Sequence, residues 1–439
     1  MRNFASVKKY ISAILALSLL YLLSFGAFAA ENKELAYERN VKAAVIYNIE
    51  NNTIVYGKNE DAVLPTASFA KMMTAICAYE LLSDRLDDTI TVEYNMIQDV
   101  TGNQVGYYVG ETVSVRDMFG GLLTRGANDS AYLLCYAAKG SVGAFVEYMN
   151  EKAAVLGMTS TVYKNPTGVH ADGMVTTARD SIAVSKRFYE IDFLTELSNS
   201  VTYEMPETNK SVARSIYNRN GLVARVVDAG YFDPRVTGFN AGSTVEAGYY
   251  AASAVKSEEL SYIITVLGGE LVDELNTAYL FTSELAKHAL ENFGYVDVMK
   301  PSDIICEIPV RLSTDADYVT LVPCGTLTLY LPTALDIKNE LEYTYELSSE
   351  SLDAPVTEGE VAGKYTVTKD GVWLGSVDLV TKNSVARSEF LAALDAIEKF
   401  TTSPIFIAAM ILIVLLIILH FVMQGIMRTR RRRRNYQRR

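Results

Sequence analysis

The chain has 439 residues, 49% of them hydrophobic, and a formal net charge of −12. That length is enough for more than one packed core, so a body of this size does not need disulfide staples. The acidic balance excludes general attraction to nucleic acid, and four cysteines with three scattered histidines (His170, His288, His420) show no metal-ligand spacing.

Residues 1–29 combine Arg2, Lys8 and Lys9 with an apolar run from Ile11 to Phe28 and the small-residue pattern Ala27-Phe28-Ala29. This reads as a secretory signal cleaved after Ala29, with a retained N-terminal anchor as the alternative. Next, Val41 to Tyr47 and Thr53 to Tyr56 are β-branched apolar runs joined by a polar turn, a hairpin pattern.

Pro65 to Ala75 follows, PTASFAKMMTA, and it holds Ser68 three residues before Lys71. On a helix that spacing puts both side chains on one face, roughly 5 to 6 Å apart at Cβ. An amine so placed can take the serine proton if burial lowers its pKa, and Phe69, Ala70, Met72 and Met73 supply the dry wall. The first amides of a helix starting near Ser68 would face an oxyanion formed there. The bland alternative makes Ser68 a helix cap, and the same four-residue pattern recurs by coincidence at Ser6 and Lys9.

Short strands are expected at Thr91-Val92 and Thr112 to Val115, around the glycines Gly102, Gly106 and Gly110, and a helix from Val115 to Thr124 stops at Arg125-Gly126. A helix from Ser130 to Ala138 follows, with Asn128 as its candidate cap. Others span Val142 to Leu156 and Arg179 to Tyr189, with a turn at Asn165-Pro166-Thr167-Gly168 between them. From Val236, strand-like segments to Thr244, Ala247 to Val255 and Leu260 to Leu267 read as a meander, and a long helix is expected from Val272 to Asn292. Strands at both ends of residues 30–295 thus enclose a helical insertion.

Residues 300–385 carry several short strands and no paired catalytic groups, as in a small β-sandwich. Cys306 and Cys324 fall on neighbouring strand-like segments, which leaves a pairing open, whereas Cys77 and Cys135 lie in apolar helical patterns and read as buried thiols. A linker helix (386–403) leads into residues 404–424, an uncharged apolar stretch long enough to cross a bilayer, and then to an arginine-rich tail (425–439) expected on the cytoplasmic side. Removing the basic tail and leader makes the exported body more acidic by about ten charges, so an anionic substrate would need specific contacts.

Three separated segments then stand in a telling order. Pro65 to Lys71, Leu122 to Asp129, and Val236 to Gly248 resemble the S-x-x-K, S-x-N and K-T-G boxes of the serine D-alanyl-D-alanine carboxypeptidases, the low-molecular-mass penicillin-binding proteins of peptidase S11 type. Asn165 to Gly168 followed by Thr176 to Asp180 is also similar to a segment of that family. The resemblance implies an α/β (α+β) penicillin-binding and serine β-lactamase-like transpeptidase fold, an antiparallel sheet flanked by helices with an all-α lobe. A β-rich C-terminal domain and one transmembrane helix would follow. It makes Ser68 the nucleophile, Lys71 its base and Asn128 a polar contact for lysine and substrate, with the amides of Ser68 and Ser243 as the oxyanion hole. Asn240, Ala241, Gly242 and Thr244 would contact substrate.

It also implies a peptidoglycan stem peptide ending in D-Ala-D-Ala as substrate, β-lactams as inhibitors and the membrane as a partner. No cofactor, metal or nucleic acid is implied. Two boxes depart from the pattern: Gly126 replaces the serine of S-x-N, and Asn240 and Ala241 replace the lysine and threonine of K-T-G. The family's proton relay, its second cation and its carboxylate donors are therefore missing, and Ser243, Thr244 and Arg125 are the candidates to replace them. The expectation is a membrane-anchored carboxypeptidase of reduced turnover. The alternative is a degraded homologue that binds peptidoglycan or a protein partner in envelope or spore assembly. A β-lactamase is a weaker rival, since no acidic deacylating residue stands out.

Overall fold

The computed structural model describes residues 35–225 and 230–436, with side chains as far as residue 428. The leader expected over residues 1–29 lies outside them, as does the end of the arginine-rich tail. The chain divides into two compact units, the first reaching Tyr295 and taking in Tyr330–Leu335.

In the first unit, β1 (Ala43–Asn48), β2 (Thr53–Lys58), β3 (Val236–Thr244), β4 (Gly248–Lys256) and β5 (Ser261–Gly269) form an antiparallel sheet in the order β2-β1-β5-β4-β3. Strands β1 and β5 are buried along their whole length, because helices cover both faces. Ala43, Val45 and Tyr47 of β1 join the core of the helical lobe, while Ala44 and Ile46 pack with Phe281 and Leu285 of a helix on the other face. The expected hairpin and meander are both present.

The lobe is built around α1 (Ala70–Leu82), whose AKMMTAICAYELL sequence is apolar nearly all round. Ten of its thirteen residues are buried. Around it lie α2 (Val115–Gly120), α3 (Asn128–Lys139), α4 (Val142–Val155) and α5 (Ala178–Tyr189). Cys77 on α1 and Cys135 on α3 are buried, and all four cysteines are free thiols. Thr177 caps α5 by accepting a hydrogen bond from the Asp180 amide.

Three segments differ from the sequence reading. The helix expected over Val115 to Thr124 is α-helical only to Gly120 and widens into a π turn over Gly121–Arg125. The helix expected from Val272 starts at Thr277 instead. Leu271–Val272 pairs with Leu275–Asn276 around left-handed Asp273 and Glu274, and the Asn276 carboxamide caps α7 (Thr277–Asn292). Leu271, Val272 and Leu275 have helical spacing but lie on the surface, so no core selects the helix there. The stretch after Tyr189 also holds the short helix α6 (Asp192–Asn199) and a hairpin, Thr202–Met205 with Arg214–Tyr217, that its composition does not announce.

The second unit contains a six-stranded sheet around a small core that includes Ile308, Leu321, Ala362 and Leu379. Ser388 caps the helix Glu389–Thr402 through the Leu391 amide. The helix Pro404–Tyr436 follows, and its first part, Pro404–Arg428, is long and apolar enough to cross a membrane, with mean hydropathy 3.2.

Candidate active site

Pairing of Leu64–Pro65 with Val175–Thr176 delivers the chain into a tight 3-10 turn, Ala67–Phe69, that runs straight into α1. Ala67 is held at φ +49°, the left-handed region that costs an L-residue about 1–2 kcal/mol. Strain of this kind persists only where the surroundings enforce it. The enforcing neighbour is Gly168: it has φ +78°, and a Cβ there would lie 1.7 Å from the Ala67 carbonyl oxygen and 2.6 Å from the Ser68 nitrogen. The turn Asn165-Pro166-Thr167-Gly168 therefore braces the backbone that presents Ser68.

The same turn holds Lys71. Its Nζ donates to the Thr167 carbonyl at 2.7 Å, and the side chain is only 3% exposed. Asn165 Oδ1 accepts from the Thr167 amide (3.1 Å), the Thr167 hydroxyl (3.0 Å) and the Gly168 amide (2.8 Å), which fixes that carbonyl. The Pro166 carbonyl is tied to α1 by the Thr74 hydroxyl at 2.7 Å. Phe69, Ala70, Met72 and Met73 are fully buried around the lysine. Burial, with no carboxylate to offset it, lowers the Lys71 pKa to about 7. A large share of the amine is then uncharged near neutral pH.

Ser68 and Lys71 border one cleft of about 390 Å³. Among the described residues no hydrogen bond joins the two, since the amine is turned to Thr167. The opposite wall is the end of β3: Asn240, Ala241, Gly242 and Ser243 all line the cleft. Thr244 does not. Its hydroxyl accepts from the Ala247 amide inside the β3–β4 turn. Two cations border the cleft from other elements: Arg125, whose Nε donates to the Gln104 carbonyl, and Arg219, whose Nη1 donates to Asn103 Oδ1, each at 2.7 Å.

Gly126 ends the π turn at φ +69°, with open space where a side chain would be. Asn128 is neither a cap nor part of this cleft. The N-cap position of α3 is Ala127, and the Asn128 amide group donates to the Thr101 carbonyl at 2.5 Å. Asn128 lines a second cavity, of about 100 Å³, together with Thr167, and its buried Oδ1 has no partner.

A phenol that the sequence reading did not single out completes the nucleophile's surroundings. Tyr250 on β4 is 1% exposed, pairs in register with Gly242, and donates from its hydroxyl to Asn240 Oδ1 at 2.6 Å. Burial raises its pKa far above the ordinary phenol value, and a hydrogen bond from Ser68 offsets this only in part. Tyr250 becomes visible once Thr244 is paired with Gly248, because counting back along the hairpin sets Tyr250 opposite Gly242. Among the described residues there is no group of three or more His, Cys, Asp and Glu side chains suited to a metal ion.

Comparison with known proteins gives family matches over most of the chain. The family profile described as D-alanyl-D-alanine carboxypeptidase, peptidase S11, matches residues 29–270, and that of the penicillin-binding protein 5 C-terminal domain matches residues 293–387. The D-alanyl-D-alanine carboxypeptidase DacF of Bacillus subtilis is 25% identical over 398 residues, 88% of this chain and 97% of that protein. Penicillin-binding protein 5 from Haemophilus influenzae shares the fold, with a TM-score of 0.57 at 22% identity over 82% of this chain and all of that one. Penicillin-binding protein D2 from Listeria monocytogenes, solved in a cefotaxime-bound form, gives a TM-score of 0.50 at 25% identity over 60% of this chain and all of that one.

Proposed function

This chain belongs to the peptidase S11 family of D-alanyl-D-alanine carboxypeptidases, and on that premise we propose that it forms an acyl-enzyme at Ser68 with peptidoglycan stem peptides ending in D-Ala-D-Ala. Ser68 attacks the penultimate D-alanine carbonyl, Lys71 takes its proton, D-alanine leaves, and water hydrolyses the ester. The amides of Ser68 and Ser243 receive the oxyanion, and β-lactams acylate the same serine. Asn240, Ala241 and Gly242 line the substrate strand. Arg125 and Arg219, the cations of the cleft, take the terminal carboxylate in place of the missing lysine and threonine.

The observation that carries this reading is Lys71: a buried amine, clamped to a neutral carbonyl and brought to a pKa of about 7, beside a serine in a strained turn. The body sits outside the cell, held by the span Pro404–Arg428 with the arginine-rich tail inside. The test is to incubate the full chain with a fluorescent penicillin and with a D-Ala-D-Ala peptide. Label at Ser68 together with released D-alanine supports the reading, and absence of both refutes it. A second reading, a homologue that binds peptidoglycan or a protein partner without turning over, draws its support from Gly126, which offers no hydroxyl to the cleft. Labelling without D-alanine release would favour it.

A further inference from the structure

Breaking an amide requires the departing nitrogen to receive a proton, and general acid assistance is worth about 10²- to 10⁴-fold. Gly126 stands where the family's relay hydroxyl would be, and it has no side chain. Resting on the carboxypeptidase reading above, we propose that Tyr250 is a catalytic residue, the proton donor to the leaving amine. It is a phenol supplied by the neighbouring strand in place of the missing serine.

Four observations converge on that hydroxyl. It borders the same cleft as Ser68 and Lys71. The effect of burial on its pKa is offset in part by Ser68, and both residues line that cleft. Its own proton is directed at Asn240 Oδ1, at 2.6 Å. And it fits only because residue 242 is glycine, since a Cβ there would come within 2.9 Å of the phenol oxygen.

The substitution at 240 belongs to the same arrangement. A lysine ammonium has three donors and no acceptor, so it could not receive the phenol's proton, whereas a carboxamide oxygen can. Asn240 and Tyr250 thus form a matched pair: Asn240 holds the phenolic hydrogen in the cleft until a better acceptor forms, the nitrogen of the tetrahedral intermediate, which is basic once Ser68 has added to the carbonyl. Burial disfavours the phenolate, so the hydroxyl holds its hydrogen on Asn240 until the leaving nitrogen takes it.

The proton balance closes. Lys71 takes the Ser68 proton as the Oγ–carbon bond forms. As the carbon–nitrogen bond breaks, the amine takes the Tyr250 proton. In the same event the phenol oxygen takes a proton from the Lys71 ammonium, so no free phenolate forms, and the serine proton has in net passed to D-alanine.

The test compares leaving groups in the full chain and in Tyr250→Phe, which removes one oxygen and keeps the packing. A D-Ala-D-Ala peptide expels an amine that must be protonated, whereas the corresponding D-alanyl thioester expels a thiolate that need not be. The expected result is that Tyr250→Phe lowers the amide-to-thioester rate ratio about 100-fold. A ratio unchanged from the parent chain overturns the inference, whether both rates hold or both fall, because that is the signature of no role or of a merely structural one. A parent chain that cleaves the thioester and not the peptide overturns it as well, while leaving acylation at Ser68 intact. A parent chain that accepts neither substrate nor penicillin overturns the carboxypeptidase reading itself.

Discussion

The two walls of the cleft differ in how tightly their backbone is held. The α1 wall keeps Ser68 and Lys71, and everything around them is committed: a strained Ala67, a glycine with no room for a Cβ, and a carbonyl fixed by three hydrogen bonds to one asparagine. The β3 wall carries Asn240 and Ala241, and a tyrosine from β4 donates its hydroxyl to that asparagine. On the proposed mechanism the first wall supplies the nucleophile and base that form the ester. On that mechanism the second, through Tyr250 and Asn240, governs what becomes of the leaving group.

That contrast can be broken most sharply at Lys71. Lys71→Met keeps the apolar stem in its buried slot and removes the base, so penicillin labelling at Ser68 should slow by about 10³-fold, read by gel fluorescence over time. Gly168→Ala attacks the same wall through the backbone. With a Cβ driven against the Ala67 carbonyl at a left-handed position, the turn must move, and we expect a loss of about 3 kcal/mol in denaturant unfolding along with most of the labelling. Asn165→Ala leaves the fold but frees the Thr167 carbonyl. A loss of about 1–3 kcal/mol is expected, with slower labelling. At the end of the π turn, Gly126→Ser meets open space and pays only for its φ of +69°, so it should cost about 1 kcal/mol and leave labelling within a few-fold of the parent. If Gly126→Ser were as damaging as Gly168→Ala, the claimed difference between the braced α1 wall and the open Gly126 turn would be wrong.

How much of this was legible in the sequence follows the same division. The Ser68–Lys71 pair is local: a three-residue spacing and an apolar helix wall are both readable from PTASFAKMMTA. The meander β3–β4–β5 was equally open, because its strands are consecutive and separated by turns. What could not be read was pairing at a distance. The acceptor for Lys71 lies 96 residues away in a segment recognisable only as a turn. Asn128 has the composition of a helix cap, yet its amide group is claimed by Thr101 in the preceding loop, so a tertiary partner overrode a local preference. Tyr250 looked like one more apolar residue of a buried strand, and only its register with Gly242 carries the hydroxyl to the nucleophile. The false start of α7 has the opposite cause. Leu271, Val272 and Leu275 imitate a helical face, but the left-handed Asp273-Glu274 turn and the Asn276 cap decide the backbone instead.

The central claim is that Lys71 works as an uncharged base beside Ser68, and the pH dependence of Ser68 acylation tests it most directly. A base must be unprotonated, so with a pKa brought down to about 7 the rate of labelling by fluorescent penicillin should rise about tenfold per pH unit below 7 and level off above it. A rate that keeps climbing towards pH 10, the range of an ordinary lysine, would show that the amine is charged in the resting protein and would contradict the account.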